Sequence, residues 1–180
     1  MTVLETPRLT LRPPRSDDWP AYRSYRLTPR STLPMMPEAE AWTHFAAFFG
    51  HWALRGFGRF VITLRDTGQS VGHAGPFHPA GNPEPEITWT LWSPAHEGLG
   101  LAFEAAAAAR DHAFATLGWP TAVSYIDTGN RRSIALAERL GARRDARAQT
   151  PAPRTLVYRH VSGHRSAGGR AAGAPAERIA

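Results

Sequence analysis

The residues between Glu86 and Ser133 carry most of the chemistry legible in this chain. Glu86 opens an alternating run, Glu86-Ile-Thr-Trp-Thr-Leu-Trp92, and a carboxylate at the start of a strand is a candidate general base. A strand-edge salt bridge is the plainer role, and residue type leaves both open. Asp127 closes the next apolar run, Thr121 to Ile126, and is a second candidate base, with capping of the turn before Asn130 as its structural alternative. Between the two runs lies Glu97-Gly98-Leu99-Gly100-Leu101-Ala102, which places small residues where a backbone must approach a partner closely. It ends on the first turn of an alanine-rich helix, where unpaired N–H groups attract anions at roughly 0.3 to 1 kcal/mol per favourable charge. A glycine-rich connector without a ligand fits the same residues. Asn130 stands where a helix cap belongs, and Ser133, one turn later, faces the same end.

Two phosphate-binding patterns can be set against this turn, of which the first is excluded and the second fits poorly. A P-loop needs Gly-Lys-Ser/Thr after its glycines, and the chain has no Lys. A dinucleotide fold would use Asp127 as its ribose acid, but Phe103 occupies the third glycine position and too little chain follows for a second nucleotide half.

The elements that must position these residues follow from pattern. Leu9 to Arg12 alternates as a first strand, ended by Pro13 and Pro14, and Ser16 with Asp17 and Asp18 reads as the cap and acidic first turn of a helix over Trp19 to Leu27. Thr28 to Pro37 is turn-rich. Phe45, Phe48, Phe49 and Trp52 then fall at i, i+3, i+4 and i+7, one apolar face of a second helix stopped by Gly56 and Gly58. That helix borders the expected acceptor cleft, where core packing is the main role of Trp42, Phe45 and Trp52. Arg59 to Leu64 and Ser70 to Ala74 form a hairpin around Asp66-Thr-Gly-Gln69. Pro76 to Pro85 is a loop leading to the Glu86 strand. After the alanine-rich helix and the Thr121 strand, a short helix runs from Asn130 to Leu140-Gly141, and Ala142 to Gln149 with Thr155 to Val161 suggests a terminal hairpin. The strands at Glu86 and Thr121, joined by a helix, should pair in parallel through a right-handed crossover. The expected fold is mixed α/β, with a central sheet of about six or seven strands and about four helices. One domain spans 1–161. Residues 162–180, rich in Gly, Ala and Arg, are too poor in apolar side chains to fold and read as a disordered tail.

The chain has 180 residues, enough for one core, and no cysteine, which excludes thiol catalysis and cysteine-rich zinc sites. The eight histidines show no ligand-pair spacing with acids, so no metal is expected, and His73 and His78 read as polar residues flanking a loop. No apolar run reaches a membrane span, and the first residues show no apolar signal core. A cytoplasmic protein is the expectation. All 21 basic residues are Arg, and the formal charge of +6 is spread without a basic run, so a mild anion preference is expected and nucleic acid is not.

The turn resembles the acetyl-coenzyme A site of the GNAT N-acetyltransferase superfamily, whose signature is Arg/Gln-x-x-Gly-x-Gly/Ala. Gly100 and Ala102 match its last two positions, Gly98 is also common there, and Glu97 departs from the first. Pro7-Arg8-Leu9-Thr10-Leu11-Arg12, Asp17-Asp18-Trp19, Glu86-Ile-Thr-Trp89, Asn130-x-x-Ser133, Ala137-Glu-Arg-Leu-Gly141 and Leu156-Val-Tyr-Arg-His160 each look like the bacterial ribosomal-protein N-acetyltransferase-like branch, in order over residues 3 to 161.

The resemblance implies a splayed parallel strand pair holding acetyl-CoA as co-substrate, and transfer to a primary amine on a protein terminus or small molecule. It places Leu91, Trp92, Glu97, Gly98, Leu99, Gly100, Leu101, Ala102, Asn130 and Ser133 at the cofactor. Asn130 would bond the pantetheine arm, and a backbone N–H near Leu91 or Trp92 would bind the oxyanion. Glu86 would be the base, directly or through water, and Ser133 the group that helps the thiolate leave, since Ala137 stands where many members carry a Tyr. Glu97 beside a pyrophosphate weakens the expected cofactor affinity unless its side chain turns outward. A non-catalytic acyl-CoA-binding module and a basic ribosome- or RNA-binding domain are the alternative functions, and the assembly is expected to be a monomer or homodimer.

Overall fold

The computed structural model describes residues 2–29 and 35–163. Among them are eight strands and four helices: β1 (Leu4–Glu5), β2 (Leu9–Arg12), α1 (Trp19–Leu27), α2 (Glu38–Arg55), β3 (Phe60–Leu64), β4 (Ser70–Phe77), β5 (Glu86–Leu91), α3 (Leu101–Ala115), β6 (Thr121–Asp127), α4 (Arg131–Arg139), β7 (Arg143–Arg144) and β8 (Thr155–Val161). One sheet holds all the strands in the order β1-β2-β3-β4-β5-β6-β8-β7. Every neighbouring pair is antiparallel except β5 and β6. The expected mixed sheet is therefore present, widened by the two-residue edge strand β1, which is too short to leave a periodic signal. Tail residues 164–180 and the 30–34 part of the Thr28 to Pro37 segment lie outside the described residues.

Helices cover both faces. On one, α3 lays Ala105, Ala106, Ala109 and Ala113, all fully buried, against the sheet, so small side chains let its backbone approach Leu9, Leu11, Phe60, Ile62 and Ala74 closely. Alanine is also the strongest helix former, so propensity and packing agree over this stretch. On the other face, α1 and α2 pack Tyr22, Tyr25, Phe45 and Phe48 against Val61 and Trp92. Gly56 ends α2 in the left-handed conformation (φ 73°), donating to the Trp52 carbonyl at 3.0 Å. Phe49 turns partly to solvent, and His51 is buried in its stead.

One sequence expectation is extended and one changes. Asp18 stands in the acidic first turn expected before α1, and it does more than that: it is 1% exposed and accepts from the Arg12 guanidinium at 2.7 and 2.9 Å, from Ser70 Oγ at 2.6 Å and from the Arg15 amide at 2.7 Å. It thus ties β2, β4 and the entry to α1 together. The change is that β4 runs on to Phe77 through Pro76, where a loop was expected. Trp92 donates to Val71 at 2.8 Å, so the two-residue alternation puts Pro76, opposite Ile87, at a position that needs no amide toward β5. On its other side the β3 pairing has already ended, at Phe60 opposite Ala74. Proline's missing N–H therefore costs the sheet no bond.

Candidate functional site

The parallel pair is in register at a single position, Glu86 opposite Val123. Beyond it the strands part, because β6 stays in register with β8 over all seven of its residues, Thr121 to Asp127. Ser124 Oγ donates to the Ile87 carbonyl at 2.6 Å, occupying the acceptor that a further rung would use. The hydroxyl has one proton, so the imidazole of His160, 3.0 Å away, donates its Nε2–H to Ser124 Oγ. Burial keeps His160 neutral by lowering its pKa to about 4.

A cavity of about 240 Å³ occupies the resulting gap. Glu86, Thr88 and Tyr125 line it, Arg59 and His73 stand on its β3–β4 side, and Asn130 and Ser133 on its α4 side.

Glu86 is 8% exposed. Burial raises its pKa to about 7, against the opposing pull of the Arg59 charge, a hydrogen bond from Asn82 and one from the Tyr125 backbone. Asn82 Nδ2 donates to Oε1 at 2.9 Å. The loop that carries Asn82 is pinned by Glu84, whose carboxylate takes two bonds from Arg159 at 2.6 and 2.8 Å, and whose amide donates to Tyr125 Oη at 3.1 Å. A carboxylate poised near neutrality and held by three elements has the properties of a general base.

On the opposite side, Asn130 caps α4, its Oδ1 accepting from the Ser133 amide at 3.1 Å. The Trp89 indole crosses the gap and donates to Ser133 Oγ at 3.3 Å. Because an indole N–H can only donate, the Ser133 hydroxyl proton is left to be given to another group. Asp127 is exposed, accepts from the Gly129 amide at 2.7 Å and makes a loose ion pair with Arg154 at 3.9 Å. That is the turn-capping role, although the residue also borders the cavity.

The glycine turn lies where β5 gives way to α3. Gly98 and Gly100 both adopt the left-handed region, at φ 76° and 79°, which explains two glycines so close together. Gly100 caps α3, directing the first-turn amides of Leu101 and Ala102 outward along the helix axis. Leu101 is buried and Leu99 is exposed. The Glu97 carboxylate forms an ion pair with Arg132 of α4, which reaches over from the far side of the gap. Arg8 also borders the turn: it donates to the Leu99 carbonyl at 2.8 Å and is fixed by Glu104 at 2.7 Å. Both arginines border the turn already paired, Arg132 with Glu97 and Arg8 with Glu104, and neither was assigned a role from sequence.

Of the two amides expected at the oxyanion, that of Trp92 is committed to Val71. The alternation along β5 turns those of Ile87, Trp89 and Leu91 toward β6, so Leu91 retains the expected orientation. His73, expected as a polar residue at the edge of a loop, is instead enclosed within its strand. It is a buried strand residue whose Nδ1 accepts from Trp92 Nε1 at 2.9 Å. Burial keeps it neutral well below its usual pKa, so its one proton sits on Nε2. Arg59, Asn82, Trp89 and Ser124 were likewise not singled out. Their types are unremarkable one by one, and only strand register assembles them.

Among the described residues no cluster of three or more His, Asp or Glu could hold a metal, and none of their helices is long and apolar enough to cross a membrane. The fold is similar to that of an acetyltransferase from Agrobacterium tumefaciens, with 42% identity, a TM-score of 0.83, and 89% of this chain and 94% of that one covered. A GNAT-family acetyltransferase from Bacillus anthracis shares 20% identity over 89% and 98% of the two chains at a TM-score of 0.71. A ribosomal-protein α-N-acetyltransferase in complex with coenzyme A, 15% identical, has the same fold at a TM-score of 0.67 over 89% and 98%. With residues 8–143 also matching the family model of the acetyltransferase (GNAT) domain, the chain belongs to the GNAT acetyltransferase family.

Proposed function

We propose that this protein is an N-acetyltransferase that moves the acetyl group of acetyl-CoA to a primary amine. The carrying observation is the gap between β5 and β6, with a carboxylate of pKa about 7 on one side and the Asn130–Ser133 cap on the other. In this reading the pyrophosphate lies against Gly98 to Ala102, with Arg8 and Arg132 nearby, and the pantetheine arm follows the gap past Asn130. That family cofactor fits the donors present: outward first-turn amides, two cations and a groove free of ladder bonds.

Chemistry then follows from the side chains. Glu86 takes a proton from the acceptor ammonium or its attacking amine, directly or through water. The amine nitrogen bonds to the thioester carbonyl carbon, and the Leu91 amide faces the oxygen that gains charge. When the carbon–sulfur bond breaks, the Ser133 hydroxyl gives its proton to the departing thiolate and is reprotonated from solvent, to which Glu86 returns the proton it took, while Trp89 occupies an acceptor site on the serine oxygen. Neither nucleic acid nor a metal has a part in this scheme, and the protein would work in the cytoplasm as a monomer or homodimer. Titration calorimetry with acetyl-CoA tests the reading: binding is expected, with free-thiol release when amines are added. No heat at millimolar acetyl-CoA would overturn it.

A further inference from the structure

Among the described residues, Arg59 is a charge that the scheme above leaves without a role. Its guanidinium carbon lies 4.0 Å from the Phe48 ring centre and 4.1 Å from that of Phe77, and its Nε is buried without a hydrogen-bond partner. Among the described residues no acid forms an ion pair with it, and the 30–34 segment contains none in its sequence. Enclosure lowers its pKa to about 10, the mark of a cation that has lost water without gaining a partner. Such a group is costly to keep, and two aromatic faces offset only part of that cost.

The backbone that carries it is packed closely against β4. Gly75, on the neighbouring strand, has no space for a side chain: a Cβ there would lie 2.9 Å from the Gly58 carbonyl and 3.0 Å from the Arg59 Cα. Register places His73, Gly75 and Phe77 opposite Thr90, Thr88 and Glu86, on one face of the sheet. Arg59 thus reaches the cavity wall beside a position with no side chain, and His73 lines the same cavity with one ring donor remaining, Nε2–H. Glu86 feels the Arg59 charge across the cavity but forms no ion pair with it: its bonds go to Asn82 and the Tyr125 backbone, and burial favours its neutral form. An enclosed cation and a neutral donor beside the proposed base form a receptor for an anion attached to the acceptor.

We propose that Arg59, assisted by His73, holds a carboxylate of the acceptor, and that the acceptor is a small free amino acid presenting its amine to Glu86. This rests on the acetyl-transfer reading above. The amine nitrogen bonds to the acetyl carbon as the carbon–sulfur bond breaks, one amine proton passes to Glu86, and the products are an N-acetyl amino acid and the coenzyme thiol. A polyamine fits this receptor worse, since a second ammonium placed there would meet Arg59 with like charge.

Matched pairs provide the test: free amino acids against their own carboxamides, with spermidine included, each read by thiol release and product mass. The carboxamide amine is the weaker base and is more often neutral, so intrinsic reactivity runs against the expected preference. At least one amino acid should show kcat/KM about tenfold or more above its amide, the size of a charge-assisted hydrogen bond. Spermidine should be the poorer acceptor. In Arg59→Met, measured at about pH 9 where Glu86 is ionised, the ratio should fall to about one or below through KM, with acetyl-CoA affinity by calorimetry within about twofold. Arg59→Lys should give an intermediate ratio, which guards against misreading an unfolded Met variant. The proposal is overturned if amides equal or exceed amino acids, if acetyl-CoA binds yet no amino acid is acetylated, or if Arg59→Met leaves the ratio intact. Failure of the wild type to bind acetyl-CoA is a different result, and it removes the transfer reading as well.

Discussion

Replacing Glu86 with glutamine keeps the size of the side chain and an oxygen for Asn82 while removing the group that titrates. Lifting a carboxyl from 4.5 to about 7 corresponds to about 3 kcal/mol in favour of its neutral form. With that pKa, roughly a tenth of Glu86 is ionised at about pH 6 and roughly nine-tenths at about pH 8. A general base contributes about 10²- to 10⁴-fold, so Glu86→Gln should lower kcat/KM by that factor at about pH 8. The amine's own protonation shapes both profiles equally, and the ratio of wild type to variant removes it. That ratio should rise about tenfold from about pH 6 to about pH 8 and then level off. Thiol release, with acetyl-CoA and the best amine of a panel, measures it. A flat ratio across this range, or a midpoint near 4.5, would refute the assignment of Glu86 and with it the claim that burial tunes the base.

Ser133→Ala should lower kcat by about tenfold or more while leaving acetyl-CoA affinity within about twofold, because the amide that Asn130 caps is unchanged; equal losses in both would make Ser133 a binding residue instead. Glu97→Gln releases Arg132 and removes a negative charge from the turn, so the acetyl-CoA Kd should fall about two- to fivefold by calorimetry, with weaker binding counting against a pyrophosphate at this turn. His160, held to about 4 against an unfolded value of about 6.5, binds its proton more readily when the chain is unfolded. Its stabilising contribution is full above about pH 6.5 and drains away toward about pH 4, by up to about 3 kcal/mol. Glu86 acts in the opposite sense between 4.5 and about 7, so urea titrations must compare wild type with His160→Gln; parallel stability profiles would contradict the predicted shift.

What could be read from the sequence was local. The cap at Asn130, the stop at Gly56, the alanine face of α3 and the crossover from β5 to β6 each depend on a few adjacent residues, and the structure contains all of them. What escaped depends on which strand lies beside which. Phe77 looks like a loop residue until β4 is seen to continue through a proline, and that continuation is permitted only because β3 has already ended. Asp18 is legible as an acidic first turn, but not as the group on which Arg12 and Ser70 converge from two strands. Arg59 is one arginine among 21, and nothing in its neighbours along the chain predicts two flanking rings contributed by α2 and β4.

The hydroxyl of Ser124 has a kinetic consequence. Since it already satisfies the Ile87 carbonyl, the two strands have no rung to zip up when the groove is vacant, and an arriving ligand breaks no backbone bond on entry. Association should therefore follow single-step kinetics, proportional to ligand concentration up to high levels, with no slow opening phase ahead of the encounter.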